Sequence, residues 1–188
     1  MAYTAPVEQI EFILNEVVAF PQLADTEIFA EATPETVSAI LSEAGKLASE
    51  VIAPVNRAGD LTPARLENGK LRSSPGYAEA FRALAEGGWI GVSANPEYGG
   101  MGLPQALNVA VMEMIASGSL ALQLNPLLTQ GQIEALEHHG SDELKSLYLP
   151  KLISGEWSGT MNLTEPGAGS DVGALTSKAE RADDGTYR

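Results

Sequence analysis

Cysteine is absent from the 188 residues of this chain, and basic side chains are few. Without cysteine the chain can form neither a disulfide nor a thiolate metal site. Its 11 Lys and Arg residues against 25 Asp and Glu give a formal charge of −14. This balance argues against a nucleic-acid surface, because phosphate groups are bound by Lys and Arg. Nucleic-acid binding is therefore not the leading hypothesis for this chain.

Long apolar runs and targeting signals are also missing. No apolar run approaches the roughly 18 residues of a membrane span. The N-terminus lacks the basic region and apolar core of a secretory signal. The two histidines, His138 and His139, are adjacent, so on a helix they point about 100° apart and have no partner at metal-ligand spacing. We expect a cytoplasmic protein with no membrane span and no metal site.

Apolar residues at helical spacing dominate the first 155 positions. The predicted helices begin near Pro6, Pro34, Pro75, Pro104, Leu120 and Ser141. Thr33 caps the second of them, and Pro54 is expected to end or kink it. Residues 56–73 are polar and turn-rich, so they are predicted to be a loop. The fold class is therefore mainly α, with an N-terminal all-α domain over residues 1–155.

The period of the pattern changes from 3.6 to 2 after Gly155. Trp157–Leu163 and Thr176–Ala182 alternate as two strands, and the turn at 183–185 leads into a third that begins at Thr186. Residues 156–188 are thus predicted to begin a β-domain. Because an isolated hairpin is marginal in water, we expect the natural protein to continue beyond Arg188.

The most informative stretch is residues 161–171, which read MNLTEPGAGSD. Pro166 stops the strand, and a glycine-rich turn follows it. Gly167 and Gly169 allow backbone angles that a side chain forbids, and they let a ligand approach free main-chain amides. An anion-binding loop and an ordinary strand-ending turn both fit a bare Gly-x-Gly-Ser.

The longer string distinguishes these two interpretations. Residues 163–171, LTEPGAGSD, resemble the flavin-binding signature of acyl-CoA dehydrogenases, and the lead-in YLPKL and SGEW at 148–157 is similar to that family as well. The resemblance extends through NPEYGG at 95–100 to the N-terminus. YTAP at 3–6 and PVNRAGD at 54–60 are most similar to the branch that includes 3-methylmercaptopropionyl-CoA dehydrogenase. Essentially the whole chain resembles the first part of that family.

The resemblance implies a helical domain packed on a central β-domain, with FAD held between the β-domain and a C-terminal helical bundle. It implies α,β-dehydrogenation of an acyl-CoA thioester, with the β-hydrogen leaving as hydride to flavin N5. The implied partners are an acyl-CoA substrate and an electron-acceptor flavoprotein. The family further implies a homo-oligomer with a place in fatty acid metabolism.

Five residues acquire a cofactor role from the resemblance. Met161 and Leu163 match positions beside the flavin, and Thr164 matches the residue that hydrogen-bonds the pyrimidine end of the ring. Gly169 and Ser170 match the pyrophosphate contacts. Ser170 also matches a position close to the acyl-CoA.

Residues Gln123, Leu124 and Leu127 match the region near the acyl tail, although core packing alone would explain each of them as well. Glu165 and Asp171 lie inside the turn, and we interpret them as turn-organising side chains rather than acid–base groups.

No catalytic residue is assigned within the chain. In the family the catalytic Glu lies far downstream, and the Trp-Ile-Thr stretch beside flavin N5 is expected just after Arg188. We therefore expect residues 1–188 to be inactive alone. Two other functions remain open at this point, namely an acyl-CoA oxidase and a non-catalytic helical interaction module.

Overall fold

A computed structural model describes residues 2–188, which contain seven α-helices and one two-stranded antiparallel sheet. The fold is mainly α, as predicted. The helices are α1 (Val7–Phe12), α2 (Pro34–Lys46), α3 (Ala53–Leu61), α4 (Tyr77–Glu86), α5 (Gln105–Gly118), α6 (Leu120–His139) and α7 (Asp142–Ile153). The strands are β1 (Arg65–Glu67) and β2 (Lys70–Arg72). No helix within residues 2–188 has both the length and the apolar character needed to cross a bilayer.

Helices α2 and α3 are joined by a π-helical turn at Leu47–Ile52. Thr33 caps α2 as predicted, because its side chain accepts a hydrogen bond from the Thr36 amide at 3.3 Å. Pro54 lacks an amide hydrogen, and its ring crowds the carbonyl of the fourth residue before it. The wider π turn accommodates this misfit immediately before Pro54. Pro54 therefore does not end the helical run, which continues to Leu61, so residues 56–61 are helical and not part of the predicted loop.

Helix α5 is the centre of the main core. Its inward face is formed by Leu107, Val111, Met114 and Ile115, which are all fully buried. Leu41 on α2 and Leu84 on α4 pack in the same cluster. A second cluster, formed by Ile90, Ala94, Ile133, Leu149, Leu152 and Ile153, joins α6 to α7 and to the loop after α4. The ends of α6 and α7 are thereby fixed to the helical body.

Residues 65–72 form a β-hairpin inside the segment that was predicted to be a loop. Its turn is Asn68-Gly69, and both residues have positive φ, 52° and 73°. Two positive φ values define the type I′ turn that suits the twist of paired strands, and Asn-Gly is its preferred sequence. The prediction for 56–73 was therefore wrong here, although the dipeptide was visible in the sequence.

The three strands predicted after residue 155 are not formed as ladders in residues 156–188. Residues 157–163 are irregular. The second and third predicted strands meet only at an isolated Arg181–Tyr187 bridge, which closes over the expected turn at 183–185. A strand needs a neighbour to satisfy its amides, and no strand in the described part of the chain lies beside residues 157–163.

Candidate functional site

The segment that leaves α7 is fixed to that helix by Trp157. The Trp157 amide donates to the Lys151 carbonyl at 3.0 Å. The Lys151 ammonium lies 4.2 Å from the centroid of the Trp157 ring. The centroids of the Tyr148 and Trp157 rings are 5.8 Å apart. These contacts set the direction in which residues 158–164 leave the helical body.

The next anchor is on α6. The Gly159 amide donates to Thr129 Oγ1 at 3.1 Å, and the Thr129 hydroxyl in turn donates to the Asn125 carbonyl at 3.0 Å. Thr129 is 1% exposed. A Cβ added at Gly159 would lie 2.2 Å from Gln132 Oε1 and 3.0 Å from Gln132 Cβ. A side chain at position 159 would therefore displace the exposed Gln132 side chain from its place beside the main chain.

A tight turn follows at residues 165–168. Glu165 and Ala168 exchange two main-chain hydrogen bonds, both of 3.1 Å, and the Ala168 side chain is buried. Glu165 also accepts from the Thr176 amide at 2.9 Å, the Thr176 hydroxyl at 3.0 Å and the Ser177 amide at 2.9 Å. The turn is thus tied to residues 176 and 177.

The electrostatics of Glu165 follow from those donors. Hydrogen bonding from the Ser177 side chain, and then from the amides of Thr176 and Ser177, lowers the pKa of Glu165 from 4.5 to about 2. A carboxylate with so low a pKa is a weak base near neutral pH. Asp171 has a similar local role, because it accepts from the Gly173 amide at 3.2 Å. Both acidic residues organise the loop, as the sequence indicated.

The five predicted cofactor residues flank this turn on the surface. The Met161 and Leu163 side chains are 59% and 45% exposed, and Thr164, Gly169 and Ser170 are also exposed. Among the described residues, the amides of Thr164, Gly169 and Ser170 donate to no other protein group. The segment therefore presents two apolar side chains followed by free hydrogen-bond donors.

Gly169 does not use the backbone freedom that glycine allows. Its φ lies outside the left-handed region. A Cβ at this position would meet only Thr164 Cγ2, at an ordinary 3.8 Å. Nothing within the described chain requires glycine at this position.

The three predicted acyl-tail residues occupy different environments on α6. Gln123 is 4% exposed, whereas Leu124 and Leu127 are 48% and 46% exposed. Leu120, Leu124 and Leu127 follow the i, i+4, i+7 spacing of one helix face. Within residues 2–188 this leucine stripe is largely open to solvent, so it offers an apolar surface to a ligand or to further protein.

Leu127 also lines a cleft of about 540 Å³. Phe29, Ile90, Leu103 and Ile133 contribute apolar walls, and Glu134, Glu137 and His138 contribute a polar side. Sequence reasoning missed this cleft because its walls come from three separate segments of the chain, residues 28–29, 90–105 and 127–138.

One side of the cleft is held by a network of buried amides. Gln130 Nε2 donates to Asn108 Oδ1 at 3.1 Å and to the Ile90 carbonyl at 3.0 Å. Asn108 is 3% exposed. No group of three His, Cys, Asp or Glu side chains suited to a metal ion occurs in residues 2–188.

Comparison with known proteins defines the class to which this geometry belongs. Residues 34–156 match the family described as "Acyl-CoA dehydrogenase, N-terminal domain". This match covers well over half of the chain, which therefore belongs to the acyl-CoA dehydrogenase family.

A curated relative supports the same assignment. The chain is 43% identical over 187 residues to 3-methylmercaptopropionyl-CoA dehydrogenase of Ruegeria pomeroyi, covering 100% of this chain and 32% of the relative. The chain thus spans about a third of that protein's length.

Two solved structures share the fold. A glutaryl-coenzyme A dehydrogenase in complex with glutaryl-CoA superposes with a TM-score of 0.68 at 33% identity, over 79% of this chain and 36% of that one. An acyl-CoA dehydrogenase of Bacillus anthracis complexed with FAD gives a TM-score of 0.65 at 23% identity, over 85% of this chain and 26% of that one.

Proposed function

We propose that residues 1–188 are the N-terminal part of an FAD-dependent acyl-CoA dehydrogenase, which oxidises the Cα–Cβ bond of an acyl-CoA thioester. One observation carries the proposal: the signature turn holds Thr164, Gly169 and Ser170 at the surface with amides that have no partner in the described chain. Membership of the family and the glutaryl-CoA complex of a related structure support the assignment.

The donor set fits FAD. Main-chain amides and small hydroxyls are suitable donors to the anionic pyrophosphate and to the carbonyl oxygens of the flavin ring. The open space at Gly169 lets a phosphate approach the main chain closely. FAD is also present in the Bacillus anthracis structure that shares the fold. When bound, FAD would supply the oxidant that accepts a hydride equivalent at flavin N5.

Each residue of the segment then has a defined task. Met161 and Leu163 contribute the apolar surface against which the flavin ring packs, and Thr164 donates to the pyrimidine end of the ring. Gly169 and Ser170 hold the pyrophosphate, and Ser170 also lies near the acyl-CoA. The turn closed by Glu165 keeps these two groups of contacts at a fixed spacing.

We place the general base outside residues 1–188. Glu165 adjoins Thr164 and Asp171 adjoins Ser170 in the sequence. Three hydrogen bonds hold the Glu165 carboxylate, whose pKa is about 2, and the Asp171 carboxylate accepts from the Gly173 amide. Removal of an α-proton needs a base with a pKa near the working pH. Residues 1–188 alone are therefore expected to be inactive.

The domain boundary falls near Gly155 in this proposal. Residues 1–155 are the helical domain, and residues 156–188 begin the middle β-domain. Acyl-CoA is the substrate, and its acyl tail lies near Gln123, Leu124 and Leu127, with the leucine stripe as an apolar wall. The protein is expected to be a cytoplasmic homo-oligomer of fatty acid metabolism that passes electrons to an acceptor flavoprotein.

The proposal is tested with the full-length protein that contains these residues. We expect the purified protein to show a visible flavin spectrum and to release FAD on denaturation. Turnover of acyl-CoA should reduce an artificial dye or an acceptor flavoprotein. Turnover with oxygen instead would identify an acyl-CoA oxidase. A colourless protein that binds neither FAD nor acyl-CoA would favour a non-catalytic helical module.

A further inference from the structure

We propose that Thr129 is a positioning residue that fixes the flavin-contact segment, residues 159–164, against helix α6. The inference rests on the proposed function and deepens it, because it assigns a role to a residue outside the signature. The observation behind it is the pair of hydrogen bonds that joins the Gly159 amide, the Thr129 hydroxyl and the Asn125 carbonyl.

The first step concerns the hydroxyl itself. Thr129 is 1% exposed, and its hydroxyl oxygen accepts from Gly159 while its proton goes to the Asn125 carbonyl four residues earlier on the helix. Both hydrogen-bonding functions are therefore used, and water cannot replace them easily in a buried site. A buried donor that loses its partner carries the full cost of desolvation.

The second step concerns the fit of the main chain. Gly159 has no side chain, so its amide reaches Thr129 without displacing Gln132, which an added Cβ would press on. Thr129 and Gln132 are three residues apart, so they lie on the same side of α6. The hydroxyl and the glycine together fix the segment at one attachment point on this helix.

The third step connects this attachment point to the proposed flavin contacts. Met161 lies two positions and Thr164 five positions after Gly159, so the Thr129–Gly159 hydrogen bond sets the start of the segment that carries the flavin contacts. Successive helix residues are about 100° apart, so Thr129 lies about 200° around the helix axis from Leu127. The two side chains are therefore on roughly opposite faces of α6. Helix α6 thus carries the flavin-contact segment on one side and the leucine stripe on the other. Fixing both to one helix keeps the cofactor contacts and the acyl-tail wall in a constant relation.

The test compares three variants of the full-length protein. Thr129→Val keeps the shape and removes the hydroxyl, Thr129→Ser restores the hydroxyl, and Thr4→Val makes the same chemical change at an exposed position. The first readout is hydrogen–deuterium exchange at the Gly159 amide, measured in the flavin-free protein. The second is FAD affinity by titration.

We expect Thr129→Val to accelerate exchange at Gly159 and to weaken FAD binding about three- to tenfold, the range of one hydrogen bond. Thr129→Ser should restore both values, and Thr4→Val should change neither. A loss of packing alone would not be rescued by Ser, which is smaller than Thr.

Two outcomes would overturn the inference. Unchanged exchange at Gly159 in Thr129→Val would show that the bond does not hold the segment. Faster exchange with unchanged FAD affinity would show that the Thr129–Gly159 hydrogen bond does not position the flavin contacts. If the wild-type protein bound no FAD at all, the proposed function and the flavin part of this inference would both fail, and the exchange experiment would still decide whether Thr129 holds the segment.

Discussion

Replacing Gly169 by alanine should have opposite effects on the stability of the protein and on its affinity for FAD. The backbone of Gly169 is outside the left-handed region, and an added Cβ would touch only Thr164 Cγ2 at 3.8 Å. Alanine at such a position reduces the freedom of the unfolded chain and stabilises a protein by about 0.4–1 kcal/mol. We expect the flavin-free protein to gain stability within that range.

The affinity for FAD should fall in the same variant. If a phosphate occupies the open space beside the Gly169 main chain, the new methyl group must displace it. Overpacking of one methyl group costs about 1–3 kcal/mol, which corresponds to a loss of about 5- to 150-fold in affinity. Gly167→Ala is the matched control, because the space around Gly167 is empty to 4 Å and no cofactor contact is assigned to it.

Urea unfolding of the flavin-free variants measures the first effect, and titration with FAD measures the second. A destabilised Gly169→Ala protein would contradict the open geometry of the turn. Unaltered FAD affinity in a correctly folded variant would refute the phosphate cradle. Equal losses of affinity in Gly169→Ala and Gly167→Ala would show that the whole turn, rather than Gly169, responds to the substitution.

Three further predictions concern the same segment and the core. Thr164→Val should weaken FAD binding about three- to tenfold, because one hydrogen bond contributes about 0.5–1.5 kcal/mol, and titration of the full-length variant checks this. The folded pKa of Glu165, about 2, lies below its ordinary 4.5, so its hydrogen bonds stabilise the turn above pH 4.5 and this contribution is lost as the pH falls towards 2; a carboxyl ¹³C titration midpoint near 4.5 would contradict the assignment. Leu41→Ala should lower the free energy of unfolding by about 2–5 kcal/mol, because Leu41 is fully buried and the change leaves a cavity; urea unfolding measures the loss, and a loss below 1 kcal/mol would place Leu41 outside the core.

The helices were predictable because their signals are local. The i, i+4, i+7, i+8 spacing of Leu107, Val111, Met114 and Ile115 indicates one face of a helix, and each of these side chains is buried. The caps at Thr33 and Ser141 were also visible, and both side chains accept the expected amide hydrogen bond. Local patterns of this kind do not depend on the rest of the fold.

Other features depended on partners that a pattern does not contain. Alternation in residues 157–163 indicated a strand, but a strand forms only beside another strand, and here the Gly159 amide donates to Thr129 instead. The hairpin at Asn68-Gly69 was missed although its turn signal was local. The cleft beside Leu127 could not be predicted, because it forms where distant segments meet.

The candidate site likewise combines residues that the sequence identified with contacts that it did not indicate. The resemblance to acyl-CoA dehydrogenases identified the signature residues, and the structure places all five of them at the surface around one turn. It did not indicate that Glu165 is held by residues 176 and 177, or that Thr129 holds Gly159. Both are contacts across the chain, and neither has a spacing that a sequence pattern reveals.

The central claim is that this chain contributes the flavin contacts of an acyl-CoA dehydrogenase. Anaerobic mixing of the flavin-loaded full-length protein with an acyl-CoA tests it most directly, with the visible flavin absorbance as the signal. We predict that the absorbance bleaches in a single turnover, both in the wild type and in Glu165→Gln, because we place the base outside residues 1–188. Absence of bleaching with straight-chain, branched and sulfur-containing acyl-CoA substrates would contradict the proposed activity. Bleaching that is lost in Glu165→Gln with FAD retained would contradict the placement of the base outside residues 1–188.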